Sequence, residues 1–175
     1  WEIANEPRPM RPAANEAYRK WIAKAAASIK ALDHKHMVTI GHEGRIGTEN
    51  IDLYEAIHAD KNIDYLTIHI WPKNWGWFAD GKMSDGFSNA ATETKKYIAE
   101  NAAVAVKLNK PLVLEEFGLP RDGQSLAIES GTTLRNAYFK DVVSFVGGNA
   151  TGNTYIGGAN FWAFGGTARP IPGQT

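Results

Sequence analysis

Apolar and polar positions along the chain follow two rhythms in turn. From Asn15 to Leu32 the residues Tyr18, Trp21, Ile22, Ala25, Ile29 and Leu32 recur at helical spacing with Lys and Arg between them. This predicts an amphipathic helix that Asn15 can cap. Residues 37–40 form a short apolar run ended by Gly41, the pattern of a parallel strand buried on both faces. The two patterns then repeat. A helix is expected over 51–58, a strand over 65–70, a helix over 90–108 stopped by Asn109 and Pro111, and a strand over 111–114. A helix over 133–146, closed by Gly147 and Gly148, and a glycine-bearing last strand over 155–162 complete the series. The opening residues 1–7 read as a strand already under way. The Trp-rich stretch 71–87 is expected to be a long loop, and loops of that length usually carry function.

Five strand patterns alternating with four helices predict a parallel sheet covered by helices. An open doubly wound sheet announces its ligand site with a glycine-rich turn after the first strand, and neither G-x-G-x-x-G nor G-x-x-x-x-G-K-[ST] occurs. Instead, polar or aromatic chemistry follows nearly every strand: Asn5 and Glu6, His42 and Glu43, His69 and Trp71, Glu115 and Glu116, and Trp162. Functional groups at the C-terminal ends of successive strands are the mark of a (β/α)8 barrel. The expected fold is therefore the C-terminal part of such a barrel, with five parallel strands and outer helices. The whole chain, 1–175, forms one partial domain whose first three strands lie outside it. The stretch Pro170-Ile171-Pro172-Gly173 closes the chain soon after the last strand without a further helix.

Composition narrows the partner. Nineteen basic residues balance nineteen acidic ones with no block of either sign, so no footprint for nucleic acid or an anionic membrane surface exists. No run reaches the ~18 apolar residues of a membrane span, and the N-terminus does not resemble a signal peptide. The absence of cysteine excludes thiolate chemistry and disulfides. Six tryptophans suit a neutral ligand with flat apolar faces and hydroxyls, as a sugar has. No zinc or EF-hand spacing and no G-x-S-x-G elbow occurs, so the chemistry calls for no metal or cofactor.

Glu6 and Glu116 stand at the ends of two strands that barrel closure brings face to face. Glycoside hydrolysis uses such a pair, one carboxyl protonated to assist the leaving oxygen and the other ionised. A single Glu is far more often a surface residue; the surrounding motifs change that weighting. Trp1-Glu2-Ile3-Ala4-Asn5-Glu6-Pro7-Arg8 and, about a hundred residues later, Leu114-Glu115-Glu116-Phe117-Gly118 resemble the two signature strands of glycoside hydrolase family 5. The likeness is strongest to its β-mannanases and runs from the family's fourth strand to its eighth.

The resemblance implies Glu6 as general acid/base, Glu116 as nucleophile, and Asn5 as the amide that bonds the sugar 2-hydroxyl. Glu115 competes with Glu116, but alternation along a strand turns neighbours to opposite faces, and the motif sets the catalytic acid directly before Phe-Gly. His69 matches the family's sixth-strand histidine and Trp162 the aromatic floor beneath the sugar. A core histidine and a core tryptophan are the plainer alternatives. Trp71 stands where the family has a tyrosine that bonds the nucleophile, and an indole N–H donates without a hydroxyl. Arg8 matches a mannanase arginine on the leaving-group side or is an ordinary loop salt bridge. Glu43 resembles a site-lining acid, and one of Trp75 and Trp77 is expected to stack on a further sugar.

The function implied is a retaining endo-β-1,4-mannanase acting on a β-linked polysaccharide, secreted or periplasmic as in the family. A β-1,4-glucanase of the same mechanism is the near alternative. A sugar-binding fragment, incompetent until an N-terminal half of the barrel joins it, is the alternative from another class.

Overall fold

A computed structural model describes residues 1–78, 83–125, 127–150 and 155–162. The C-terminal Pro170–Gly173 stretch lies outside the described residues, as does the middle of the expected 71–87 loop. Strands β1 (Leu66–Ile70), β2 (Leu112–Phe117) and β3 (Ile156–Ala159) form a parallel sheet in the order β1-β2-β3. All five residues of β1 are buried, as a parallel strand covered on both faces requires.

The two earlier strand patterns are extended segments rather than regular strands. Residues 1–6 and 37–41 run parallel through one bridge, Glu2 to Thr39, flanked by Thr39 N–H to Trp1 O at 2.8 Å and Ile3 N–H to Thr39 O at 3.0 Å. Between 37–43 and β1 a side chain takes the place of the ladder. The Thr67 hydroxyl accepts from His42 N–H at 2.7 Å and donates to His42 O at 3.0 Å. His69 N–H then bonds Glu43 O at 3.2 Å. Side-chain bonding to backbone of this kind competes with strand pairing, which is why the segments keep sequential order without a continuous ladder.

Helices α1 (Asn15–Leu32), α2 (Arg45–Thr48), α3 (Ile51–His58), α4 (Met83–Leu108) and α5 (Thr133–Ala150) connect these pieces. Asn50, not Asn15, provides the side-chain cap, accepting from Asp52 N–H at 2.8 Å ahead of α3; Asn15 is itself helical after a 3-10 turn at Pro12–Ala14. Helix α4 begins at Met83, inside the expected loop, because Phe87 and Ala90 extend the apolar stripe of Tyr97 and Ile98 and outweigh the turn-like Ser84-Asp85-Gly86. Helix α5 runs through Gly147 and Gly148, since glycine lowers helical stability by about 1 kcal/mol without forbidding it.

Two apolar clusters result. Tyr18, Ile22 and Ala26 of α1 pack on Val38, Ile40, Leu53 and Ile57. Leu66, Ile68, Leu112, Leu114, Tyr97 and Tyr138 join the sheet to α4 and α5, and each such buried side chain contributes roughly 1.5–3 kcal/mol.

Between the clusters, His42 and His58 are fully buried beside Tyr54, their rings 6.0 Å apart. Neither Nε2 has a partner among the described residues. Burial, aided by their mutual repulsion for His42, holds both below 6.5, His58 at about 3. The unfolded chain binds these protons first, so stability is whole above the ordinary histidine value and falls as pH drops from 6.5 toward 3. His58 alone removes on the order of 2 kcal/mol between pH 6.5 and 5. Thermal melts across that range should show Tm falling, with a smaller fall in His58→Phe; parallel curves would refute the assignment.

Candidate active site

The backbone at Glu6 sets the first carboxylate. Glu6 has φ +47, a left-handed conformation uncommon outside glycine, and its N–H is held by Gly41 O at 2.9 Å. Gly41, at φ +80, faces Ala4 O and the Glu2 side chain so closely that a Cβ would collide with both. Only glycine admits that approach. Beyond Glu6, Tyr18 of α1 donates to Pro7 O at 2.8 Å and ties the loop down.

His69, on β1 and almost wholly buried, is the centre of the site. Its Nδ1 lies 2.8 Å from Glu6 Oε1 and 3.4 Å from Glu116 Oε2, and its Nε2 lies 3.4 Å from Glu115 Oε2. Burial alone would lower its pKa, but the bonds to Glu115 and Glu6 and the charge of Glu116 prevail and raise it. Glu116 is pushed up by burial and by the nearby Glu6 and Glu115, while His69 and a hydrogen bond from Trp71 pull it down. The Trp71 indole N–H is thus a donor to the Glu116 carboxylate. Single donor atoms of Glu6, His69 and Glu116 lie within 4.8 Å of one another. The close oxygens around one ring nitrogen suit a proton donated by the ring to the carboxylates.

The remaining expected site residues divide. Arg8 and Glu43 form a two-point pair, Nε to Oε2 and Nη2 to Oε1 each at 2.8 Å, with the Glu43 side chain only 1% exposed. Burial raises the Glu43 pKa and the Arg8 bond opposes it. Arg8, but not Glu43, borders a cavity of about 310 Å³ with Met10, Arg11, Asn15 and Asn50. Asn5 is exposed next to Glu6. Trp162 is 58% exposed and meets Trp71 edge to face at 5.5 Å. These two line a second cavity, of about 380 Å³, with Lys73, Asn74, Gly118 and Arg135. Trp75 and Trp77 go elsewhere. Both rings are half-buried and pack edge to face against Tyr97 beside the core, at 5.2 and 5.7 Å.

Glu115 is the group that reading by alternation sends to the wrong face. The β1–β2 register slips between Ile68 and His69, pairing His69 with Glu116. A bulge places two residues of one strand against one of the other and re-aims side chains, so Glu115 and Glu116 both reach His69. Two adjacent acids ending an apolar strand were the available signal.

Paired acids at the C-terminal ends of parallel strands are the arrangement on which barrel glycosidases that work through two carboxyl groups are built. Comparison with known proteins supplies the family. A family model described as GH family 5 beta-mannosidase-like matches residues 1–175, and the chain belongs to glycoside hydrolase family 5. It is 32% identical to mannan endo-1,4-beta-mannosidase A of Aspergillus aculeatus, across 95% of this chain and 40% of that protein. It is 27% identical to mannan endo-1,4-beta-mannosidase 2 of Arabidopsis thaliana, across 94% and 39%. The crystal structure of a glycoside hydrolase family 5 mannosidase from Rhizomucor miehei superposes with TM-score 0.84 and 30% identity, across 98% of this chain and 41% of that one. The hyperthermostable endo-1,4-beta-D-mannanase of Thermotoga petrophila shares the fold, at TM-score 0.71 and 23% identity, across 93% and 44%. The chain therefore spans about 40% of the length of the curated relatives it matches, and its sheet and helices are part of a (β/α)8 barrel.

Proposed function

We propose that this chain carries both catalytic carboxylates of a retaining endo-β-1,4-mannanase, whose complete barrel binds and cuts mannan. The observation that carries the reading is the convergence of Glu6 and Glu116 on His69 with oxygens within 4.8 Å. One oxygen from each acid on the same ring nitrogen agrees with the closer carboxyl pair of retaining enzymes, ~5–5.5 Å apart, against ~6.5–9.5 Å where inverting ones admit a water. Glu116 attacks the anomeric carbon while Glu6 gives its proton to the departing glycosidic oxygen, leaving a covalent glycosyl-enzyme. Glu6 then takes a proton from water, which attacks the same carbon and releases Glu116. Two inversions retain the anomer. Trp162 forms the floor beneath the sugar and Asn5 reaches its 2-hydroxyl. A polymeric substrate places the reaction outside the cytoplasm, secreted or periplasmic.

Hydrolysis of mannan well above carboxymethylcellulose, with the β-anomer forming first by NMR, is the expected result. Preference for the glucan, or no cleavage of either polymer, overturns it. An exo-acting mannosidase is the second reading, favoured by the 0.84 superposition on the Rhizomucor miehei mannosidase. Release of mannose alone from chain ends, instead of mixed oligosaccharides, would decide for it.

A further inference from the structure

Double displacement uses Glu6 and Glu116 and leaves their neighbour Glu115 without a task. Yet the bulge turns Glu115 toward the same histidine. His69 has carboxylate oxygens at both ring nitrogens, Glu115 at Nε2 and Glu6 at Nδ1, and its side chain is 1% exposed. A neutral imidazole carries a proton on one nitrogen only, so once Glu6 has given its proton to the leaving oxygen one of the two carboxylate contacts would set lone pair against lone pair. A proton on each nitrogen satisfies both.

We propose that Glu115 is a positioning residue that accepts from His69 Nε2–H and keeps the ring doubly protonated, with its Nδ1–H aimed at Glu6. This rests on the roles given above to Glu6 and Glu116. The charge census around the ring supports it. Glu2, Glu6, Glu43, Glu115 and Glu116 surround His69, and Arg8 is committed to Glu43. His42 is buried and held neutral. Among the described residues, His69 is therefore the cation available to the catalytic pair. Its importance peaks once the leaving oxygen has taken the Glu6 proton. Glu6 is then a carboxylate that must be oriented to receive a proton from water, and the Nδ1–H fixes one of its oxygens while the other faces the sugar.

The test is Glu115→Gln in the full-length protein, because glutamine keeps an acceptor at Nε2 and removes only the charge. The readout is the pH titration of the His69 ring by NMR of 15N-histidine-labelled protein, assigned by its loss in His69→Gln. The midpoint should fall by about one pH unit or more, the size expected for losing an adjacent opposite charge. On mannan, kcat should fall about tenfold with KM within about threefold. Glu115→Asp, which keeps the charge, should hold both near wild type and shows whether charge or packing is responsible. An unchanged midpoint in Glu115→Gln overturns the proposal. So does a shifted midpoint with unchanged kcat, or an aspartate variant as impaired as the glutamine one. Should the wild type cleave no β-mannoside, the glycosidase reading fails on that assay, while the titration still reports whether Glu115 holds the His69 proton.

Discussion

Glu116→Gln is expected to lower kcat on mannan by about 10⁴-fold or more, the scale on which losing a covalent nucleophile is felt. Glutamine matches glutamate in size and can still accept from the Trp71 indole, so the site should keep its shape and its Tm. What disappears is the oxygen able to form the glycosyl ester. Substrates with activated leaving groups should suffer as severely, because every route to product passes through that ester. The wild-type pH profile carries a related mark. Glu116 attacks only when ionised, and burial with the charges of Glu6 and Glu115 holds its pKa above 4.5. The rate should therefore begin to fall at a pH above the ordinary carboxylate value as acid is added, and in kcat/KM that limb belongs to the free enzyme. Retention of more than a hundredth of wild-type kcat on an activated β-mannoside by Glu116→Gln would remove Glu116 from the nucleophile's place.

The sequence pattern made the parallel alternation, the strand order and the two acidic motifs legible, because each depends on local periodicity or on adjacent residues. It could not show register. Alternation put Glu115 on the far side of β2, and a one-residue bulge, invisible in composition, brought it to His69. Nor could it separate an exposed indole from a packed one. Trp75 and Trp77 lie in the same apolar stretch as Trp71, but Tyr97, distant in sequence on α4, draws both rings against the core. Arg8 and Glu43 were each legible as polar groups after a strand. That they pair with each other is a product of tertiary geometry.

Glu6→Ala should separate substrates by their leaving group. On mannan, whose departing sugar alkoxide is a strong base, loss of proton donation is expected to cost about 10²–10⁴-fold in kcat/KM. A dinitrophenyl β-mannoside departs without a proton, so its first step should run at close to the wild-type rate. The slow step then becomes hydrolysis of the Glu116 ester, since no base remains to take the proton from water, and burst kinetics should reveal the accumulated intermediate. Azide needs no deprotonation. It should enter the space left by the Glu6 side chain, attack the anomeric carbon opposite the Glu116 ester and restore turnover as the β-mannosyl azide. The anomer of that azide tests both roles at once. The β-product requires a covalent intermediate on the opposite face, which assigns attack to Glu116 and proton transfer to Glu6. An α-azide, or equal losses on mannan and the dinitrophenyl substrate, would mean that the carboxylate bonded to His69 Nδ1 at 2.8 Å is not the acid that frees the leaving group.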